Sequence, residues 1–144
     1  MATAATETRR LTPDRLIFDL RAATTPRISG DGTLVAYILS ATERGSARTT
    51  SHLWLLDLDE GGEPRQLTYT GTATSDPVWS PDDRSIAFVS RRGEDDGFAI
   101  CVLSLAGGEA RIVTRHAQRP GALAWSPDGT RIAYTVPVDP ENPT

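Results

Sequence analysis

Pro77-Val-Trp-Ser-Pro-Asp-Asp-Arg-Ser-Ile-Ala-Phe-Val89 recurs downstream as Leu123-Ala-Trp-Ser-Pro-Asp-Gly-Thr-Arg-Ile-Ala-Tyr-Thr135. Trp79 and Trp125, Ser80 and Ser126, and Ala87 and Ala133 each stand 46 positions apart. A weaker copy, Arg27-Ile-Ser-Gly-Asp-Gly-Thr-Leu-Val-Ala-Tyr37, lies upstream, with Ser29 51 positions before Ser80. A second block keeps the period: the segment His52 to Thr68 matches Phe98 to Thr114, and Gly61-Gly62-Glu63 and Gly107-Gly108-Glu109 are again 46 apart. The first unit's five extra residues fall between Ile38 and Leu53, so the polar stretch Ser40 to Ser51 reads as a solvent loop.

Each unit holds short apolar runs divided by turn signals. In the second unit they are Pro77 to Ser80, Ser85 to Ser90, Phe98 to Leu105 and Ala110 to Thr114, rich in the β-branched and aromatic residues that suit strands. Ser-Pro-Asp-Gly is a turn for physical reasons. Pro presets φ, Asp bonds nearby backbone, and Gly accepts a left-handed backbone. The first unit has Gly30 where the others have Pro, and the second has Asp83 where the third has Gly129. Asp is one of the few residues that tolerates that conformation. The Gly-Gly pairs would turn the third strand into the fourth. Four antiparallel strands per repeat of this length is a propeller blade.

The expected fold class is therefore all-β: a partial β-propeller of two complete four-stranded blades plus half of a third, preceded by a short N-terminal α-helix. Residues 1–24 form the leader and 25–144 the incomplete propeller, with blades at about 25–71, 72–117 and 118–144. Leu11 to Ala22 carries the helix signals: Thr12 as N-cap, Pro13 at the first helical position, Asp14 in the first turn, and Leu16 and Leu20 one turn apart. A propeller closes with about four to eight blades. The 144 residues supply two and a half, so the chain reads as a piece of a larger protein.

Composition narrows the class. The chain is 38% hydrophobic and 24% charged, which is globular composition, and its net charge of -4 argues against a nucleic-acid binder by bulk charge. All 15 basic residues are Arg. The single cysteine, Cys101, excludes an intramolecular disulfide and a cysteine zinc cluster, and its apolar neighbours make it a buried thiol. The first ten residues lack the apolar core of a signal peptide, and no stretch has the length of a membrane span, so the expected location is the cytoplasm with no membrane partner.

The Trp-Ser-Pro-Asp segments, each followed by Ile-Ala-Phe or Ile-Ala-Tyr, resemble the WD40-like PD40 propeller repeat of TolB-type proteins and of the prolyl oligopeptidase family (S9) of serine peptidases. The opening Leu11-Thr-Pro-Asp-Arg-Leu16, then Pro26-Arg-Ile-Ser-Gly-Asp-Gly32, looks like the start of the acylaminoacyl-peptidase and dipeptidyl-peptidase-like branch. Pro64 to Thr68 and Val78 to Arg91 resemble the first two blades of that branch. The resemblance runs from about Leu11 to Val138. It implies a parent with a C-terminal α/β-hydrolase domain carrying Ser, Asp and His, peptide substrates, and a propeller that limits access to the active site.

The chain itself offers little chemistry. No Gly-x-Ser-x-Gly occurs, and the absence of Lys excludes Ser-Lys and Schiff-base catalysis. His52 and His116 are expected at blade edges or in loops, without an activated nucleophile; no catalytic residue, metal site or cofactor is expected. Asp57, Asp59, Glu60 and Glu63 lack calcium-loop spacing and read as a hairpin turn. Trp79 and Trp125, repeated at the period, are expected in the blade core. The loop holding Glu94-Asp95-Asp96 follows Arg91-Arg92, and these two arginines are the candidate contacts to a substrate carboxylate or to the hydrolase domain. The alternatives are a non-catalytic TolB-like scaffold that binds proteins, and a short protein completed by homo-oligomeric pairing of blade edges.

Overall fold

The computed structural model describes residues 20–59, 61–91 and 97–138. These form ten strands: β1 (Arg21–Ile28), β2 (Leu34–Thr42), β3 (Thr49–Asp57), β4 (Arg65–Gln66), β5 (Ala73–Trp79), β6 (Ser85–Arg91), β7 (Phe98–Ser104), β8 (Arg111–His116), β9 (Gly121–Trp125) and β10 (Ile132–Thr135). They make three antiparallel sheets in simple up-and-down order, β1-β2-β3-β4, β5-β6-β7-β8 and β9-β10. No helix occurs among the described residues, and so none there is long and apolar enough to cross a membrane. Most of the helix expected at Leu11 to Ala22 lies outside the described residues; its last two, Arg21 and Ala22, open β1.

The three first-strand turns share one hydrogen-bond network, which explains why Ser-x-Asp recurs. The Ser29, Ser80 and Ser126 hydroxyls donate to Asp31, Asp82 and Asp128 at 2.6, 2.6 and 2.5 Å. The same carboxylates accept the amides of Thr33, Arg84 and Thr130. Each serine oxygen accepts one more amide across the turn, from Leu34, Ser85 and Arg131. The fourth turn residue is left-handed each time, φ 79° at Gly32, 56° at Asp83 and 69° at Gly129. Gly107 and Gly108 turn β7 into β8 with φ 116° and 96°.

A second left-handed position repeats inside the first strands, at Thr25, Asp76 and Ala122 (φ 47°, 53° and 47°). The ladder slips beside it, between Thr24 and Arg27 in β1 and between Ser75 and Val78 in β5. Such a bulge bends the strand and re-aims its side chains. Pro26 and Pro77 follow it on edge strands, where a missing N–H breaks no ladder.

The core lies between sheets. On β6, Ile86 and Phe88 pack towards the first sheet while Ala87 and Val89 pack towards the third; on β7, Ala99, Cys101 and Leu103 oppose Ile100 and Val102 in the same way. This two-sided burial is why Ile-Ala-Phe-Val reads as an unbroken apolar run rather than an alternation. Cys101 is a fully buried free thiol.

Three details differ from the expectations. Only half of the stretch Ser40 to Ser51 is loop: β2 and β3 pair out to Thr42 and Thr49, leaving an exposed loop of Glu43 to Arg48. The longer hairpin satisfies its backbone groups by pairing rather than by solvent. β3 and β7 correspond with an offset of 47, not 46, because Ala36 pairs Leu55 where Ala87 pairs Val102. The extra residue sits in the β3–β4 turn, and the slip puts Trp54 opposite Cys101 in the repeat, on the other face from that which the simple match implies. Finally, His52 lies within β3, an inner strand, rather than at an edge or in a loop, while His116 ends the edge strand β8.

Candidate functional site

The first strands converge. β5 contacts both β1 and β9, whereas β4 and β8 lie at the far edges of their sheets. The tight turns occupy one end of the sheets. The opposite end carries the connections after β2, β4, β6 and β8. Loops at one end of a rigid scaffold are where a propeller places recognition.

Arg91 closes β6 at that end. Its guanidinium lies over the ring of its cross-strand partner Phe98, 5.8 Å from the centroid, and its carbonyl accepts the Thr72 amide at 2.9 Å. Arg92 and the acidic residues 94–96 lie outside the described residues. The connections here are close-fitted at two glycines. A Cβ on Gly71 would sit 2.9 Å from the Arg91 carbonyl, and one on Gly97 2.5 Å from the His116 carbonyl, both at left-handed φ. The backbone at the base of the loop is therefore closely packed.

The inner strands add a cluster that sequence reasoning missed. Arg119, just ahead of β9, donates to Asp76 and, at 3.0 Å, to the Ser75 hydroxyl. Asp76 is the left-handed bulge residue of β5, and the bulge turns its carboxylate to the guanidinium across the sheet boundary. Only a repeat-wise comparison would have flagged it, since the equivalents are Thr25 and Ala122.

The structure places both histidines on strands. His52 is half-buried, its Nδ1 has no partner among the described residues, and burial pushes its pKa down. His116 stacks obliquely on Tyr134, ring centroids 5.2 Å apart, with the Thr114 hydroxyl at 3.4 Å. Among the described residues neither meets a carboxylate that would orient it. Among the described residues no group of three or more His, Cys, Asp or Glu could hold a metal ion.

Trp79 and Trp125 act between sheets rather than within one. The Trp79 indole N–H donates to the Arg27 carbonyl at 2.8 Å, and that of Trp125 to the Val78 carbonyl at 3.3 Å. Arg27 and Val78 are the same repeat position, so each sheet is clasped to the one before it by the same bond.

No protein-family model matches the chain. It is 37% identical over 113 residues to the uncharacterized peptidase YuxL of Bacillus subtilis, covering 78% of this chain and 17% of that protein. It is 29% identical over 124 residues to a probable dipeptidyl-peptidase 5 of Arthroderma benhamiae (76% of this chain, 17% of that protein). It is also 44% identical over 64 residues to TolB of Alcanivorax borkumensis (44% and 14%). The chain thus spans about a sixth of the length of these peptidases. Among solved structures it resembles an acylaminoacyl peptidase of Pyrococcus horikoshii, with a TM-score of 0.66 at 23% identity over 83% of this chain and 18% of that one. It also resembles the β-propeller domain of the trilobed protease of Pyrococcus furiosus (TM-score 0.64, 21% identity, 79% and 34%). In sequence the chain is thus similar to a short part of these peptidases and of TolB, and in fold it is similar to their β-propeller neighbours.

Proposed function

We propose that this chain is the N-terminal propeller portion of an S9-type serine peptidase, which screens peptide access to a hydrolase domain carried elsewhere in the parent protein. The observation that carries this reading is the run of 113 residues at 37% identity to a peptidase about six times longer than the matched stretch. In this reading the first two sheets are the first two blades and β9-β10 the first half of the third. The convergent first strands line the central passage, and Arg91 and the Arg119–Asp76 pair stand at the loop end where a peptide carboxylate or the hydrolase would meet them.

The state of the first sheet supports a continuing ring. Ile86, Phe88 and Cys101 of the second sheet are buried under the first, while their equivalents Val35, Tyr37 and Trp54 are only half-buried. An apolar face of this kind is completed by a further blade packing on it. The PD40 match to TolB favours a second reading, a non-catalytic scaffold that binds proteins through the same loop end.

A serine-directed fluorophosphonate separates the two. The parent protein is expected to label on a serine beyond residue 144 and the 144-residue chain to remain unlabelled. A parent that takes no label, with no hydrolase sequence following the blades, would support the scaffold; labelling of the chain itself would overturn both.

A further inference from the structure

The two sequence departures in the turns, Gly30 for Pro and Asp83 for Gly, meet in space. The Asp83 carboxylate reaches across from the second sheet and accepts the amides of Gly30 at 2.7 Å and Asp31 at 3.0 Å. A proline at position 30 would remove one of these donors. Even a Cβ there would come within 3.1 Å of the carboxylate. At the next boundary the pair is reversed: Pro81 stands where Gly30 does and Gly129 where Asp83 does. There a Cβ on Gly129 would touch the Pro81 ring at 3.7 Å, and a cleft of about 350 Å³ lies between the two turns, lined by Pro81, Asp82, Trp125 and Gly129. An Asp at 129 would find no N–H at residue 81.

We infer that the second residue of each turn and the fourth residue of the next form a key that decides which sheet docks on which. Gly accepts Asp, and Pro accepts Gly. The key works beside the tryptophan clasp, which is common to both boundaries and cannot tell them apart. Distinguishing near-identical repeats is a real problem for such a chain, because a wrong neighbour offers almost the same apolar face. A mispaired boundary leaves either the Asp83 carboxylate against a proline or the Gly30 amide without its acceptor, and so forfeits the hydrogen bonds that favour the right neighbour.

The key also specifies a surface. The third sheet presents Pro127 in its turn and the Ala124 carbonyl at the position of Arg27 and Val78. The partner that fits there is a further repeat reading Trp-Ser-Pro-Asp-Gly, with Gly and not Asp at the fourth turn position. This last clause rests on the propeller reading; the two boundaries inside the chain do not.

Melting of the 144-residue chain tests the key. Asp83→Gly and Gly30→Pro are each expected to lower Tm by about 3–6 °C. The double variant, which makes the first boundary read like the second, is expected to melt above the Gly30→Pro single variant. Gly129→Asp should lower Tm, and Pro81→Gly should recover part of that loss. Tm shifts that simply add in both pairs would overturn the key. If Gly30→Pro does not fold, amide exchange decides: Gly30 and Asp31 should exchange at least about tenfold faster in Asp83→Gly than in the wild type. Unchanged exchange at both amides would overturn the proposal while leaving the peptidase reading untouched.

Discussion

The first and second sheets come from the same repeat, yet they are buried in opposite ways. In the second sheet β6 and β7 bury side chains on both faces, Ile86, Phe88 and Cys101 on one and Ala87, Val89 and Ile100 on the other, whereas the buried apolar side chains of β2 and β3 in the first sheet, Ala36, Ile38, Leu53 and Leu55, all lie on one face. Its other side carries Val35, Tyr37, His52 and Trp54, each half-buried. Ile28 stands where Trp79 and Trp125 stand in the later sheets, and it is 63% exposed. The first sheet thus lacks the tryptophan clasp at that position. The difference shows that stability in this chain resides in the boundaries between sheets, since each sheet taken singly has an uncovered apolar face.

The comparison can be broken most directly at Phe88 and its equivalent Tyr37. Phe88→Ala should cost about 3–5 kcal/mol, because the side chain is 1% exposed and its cavity cannot collapse between two sheets. Tyr37→Ala should cost less than half as much by chemical unfolding. Equal losses would mean that the open face of the first sheet is covered in solution.

Next in size is the clasp. Trp79→Ala should cost roughly 3 kcal/mol, while Trp79→Phe should recover much of the packing but not the bond to the Arg27 carbonyl. Gly97→Ala follows, at roughly 2 kcal/mol, from a left-handed backbone and a Cβ pressed on the His116 carbonyl. Its loss should be accompanied by faster exchange at the base of the β6–β7 connection. Arg119→Ala should cost under about 1 kcal/mol, as expected for a salt bridge between groups 52% and 34% exposed. A loss well above that would mark the second boundary as dependent on charge rather than on packing.

The smallest individual effects belong to the turn carboxylates. Hydrogen bonds from Ser29, Ser80 and Ser126, and then from the amides two residues on, hold Asp31, Asp82 and Asp128 below the ordinary carboxylate range, Asp128 at about 2. A depressed folded-state pKa means stability that is present above pH 3.8 and is lost as pH falls towards the folded value. For Asp128 that window runs from about 4 to about 2. Unfolding measured across it should show a decline that weakens when the three aspartates are changed to Asn together, and an unaltered acid limb would remove these turns from the account.

Much of this was legible in the residues because it is local chemistry. The 46-residue spacing marks the sheets, and Ser-x-Asp marks the turns through bonds made within five residues. Asp83 was readable as left-handed from its place opposite Gly129. Cys101 was readable as buried from its apolar neighbours. The candidate site was less legible. Arg119 pairs with a residue 43 positions away, and Asp76 is available to it only because of a bulge that no turn residue announces.

By itself, then, the sequence determined the repeat, the strands and the backbone conformation of the turns, because hydrogen bonds and φ preferences act over a few residues. Only the tertiary structure decided which face of each strand is buried, since one extra residue in the β3–β4 turn moves Trp54 to the opposite side. It also decided that the repeated tryptophans grip a neighbouring sheet, and that Gly30 and Asp83 are partners. Those outcomes depend on how sheets more than 40 residues apart in sequence come to lie against one another, and burial of their apolar faces, which is not directional, leaves the choice to the few polar groups at the boundary.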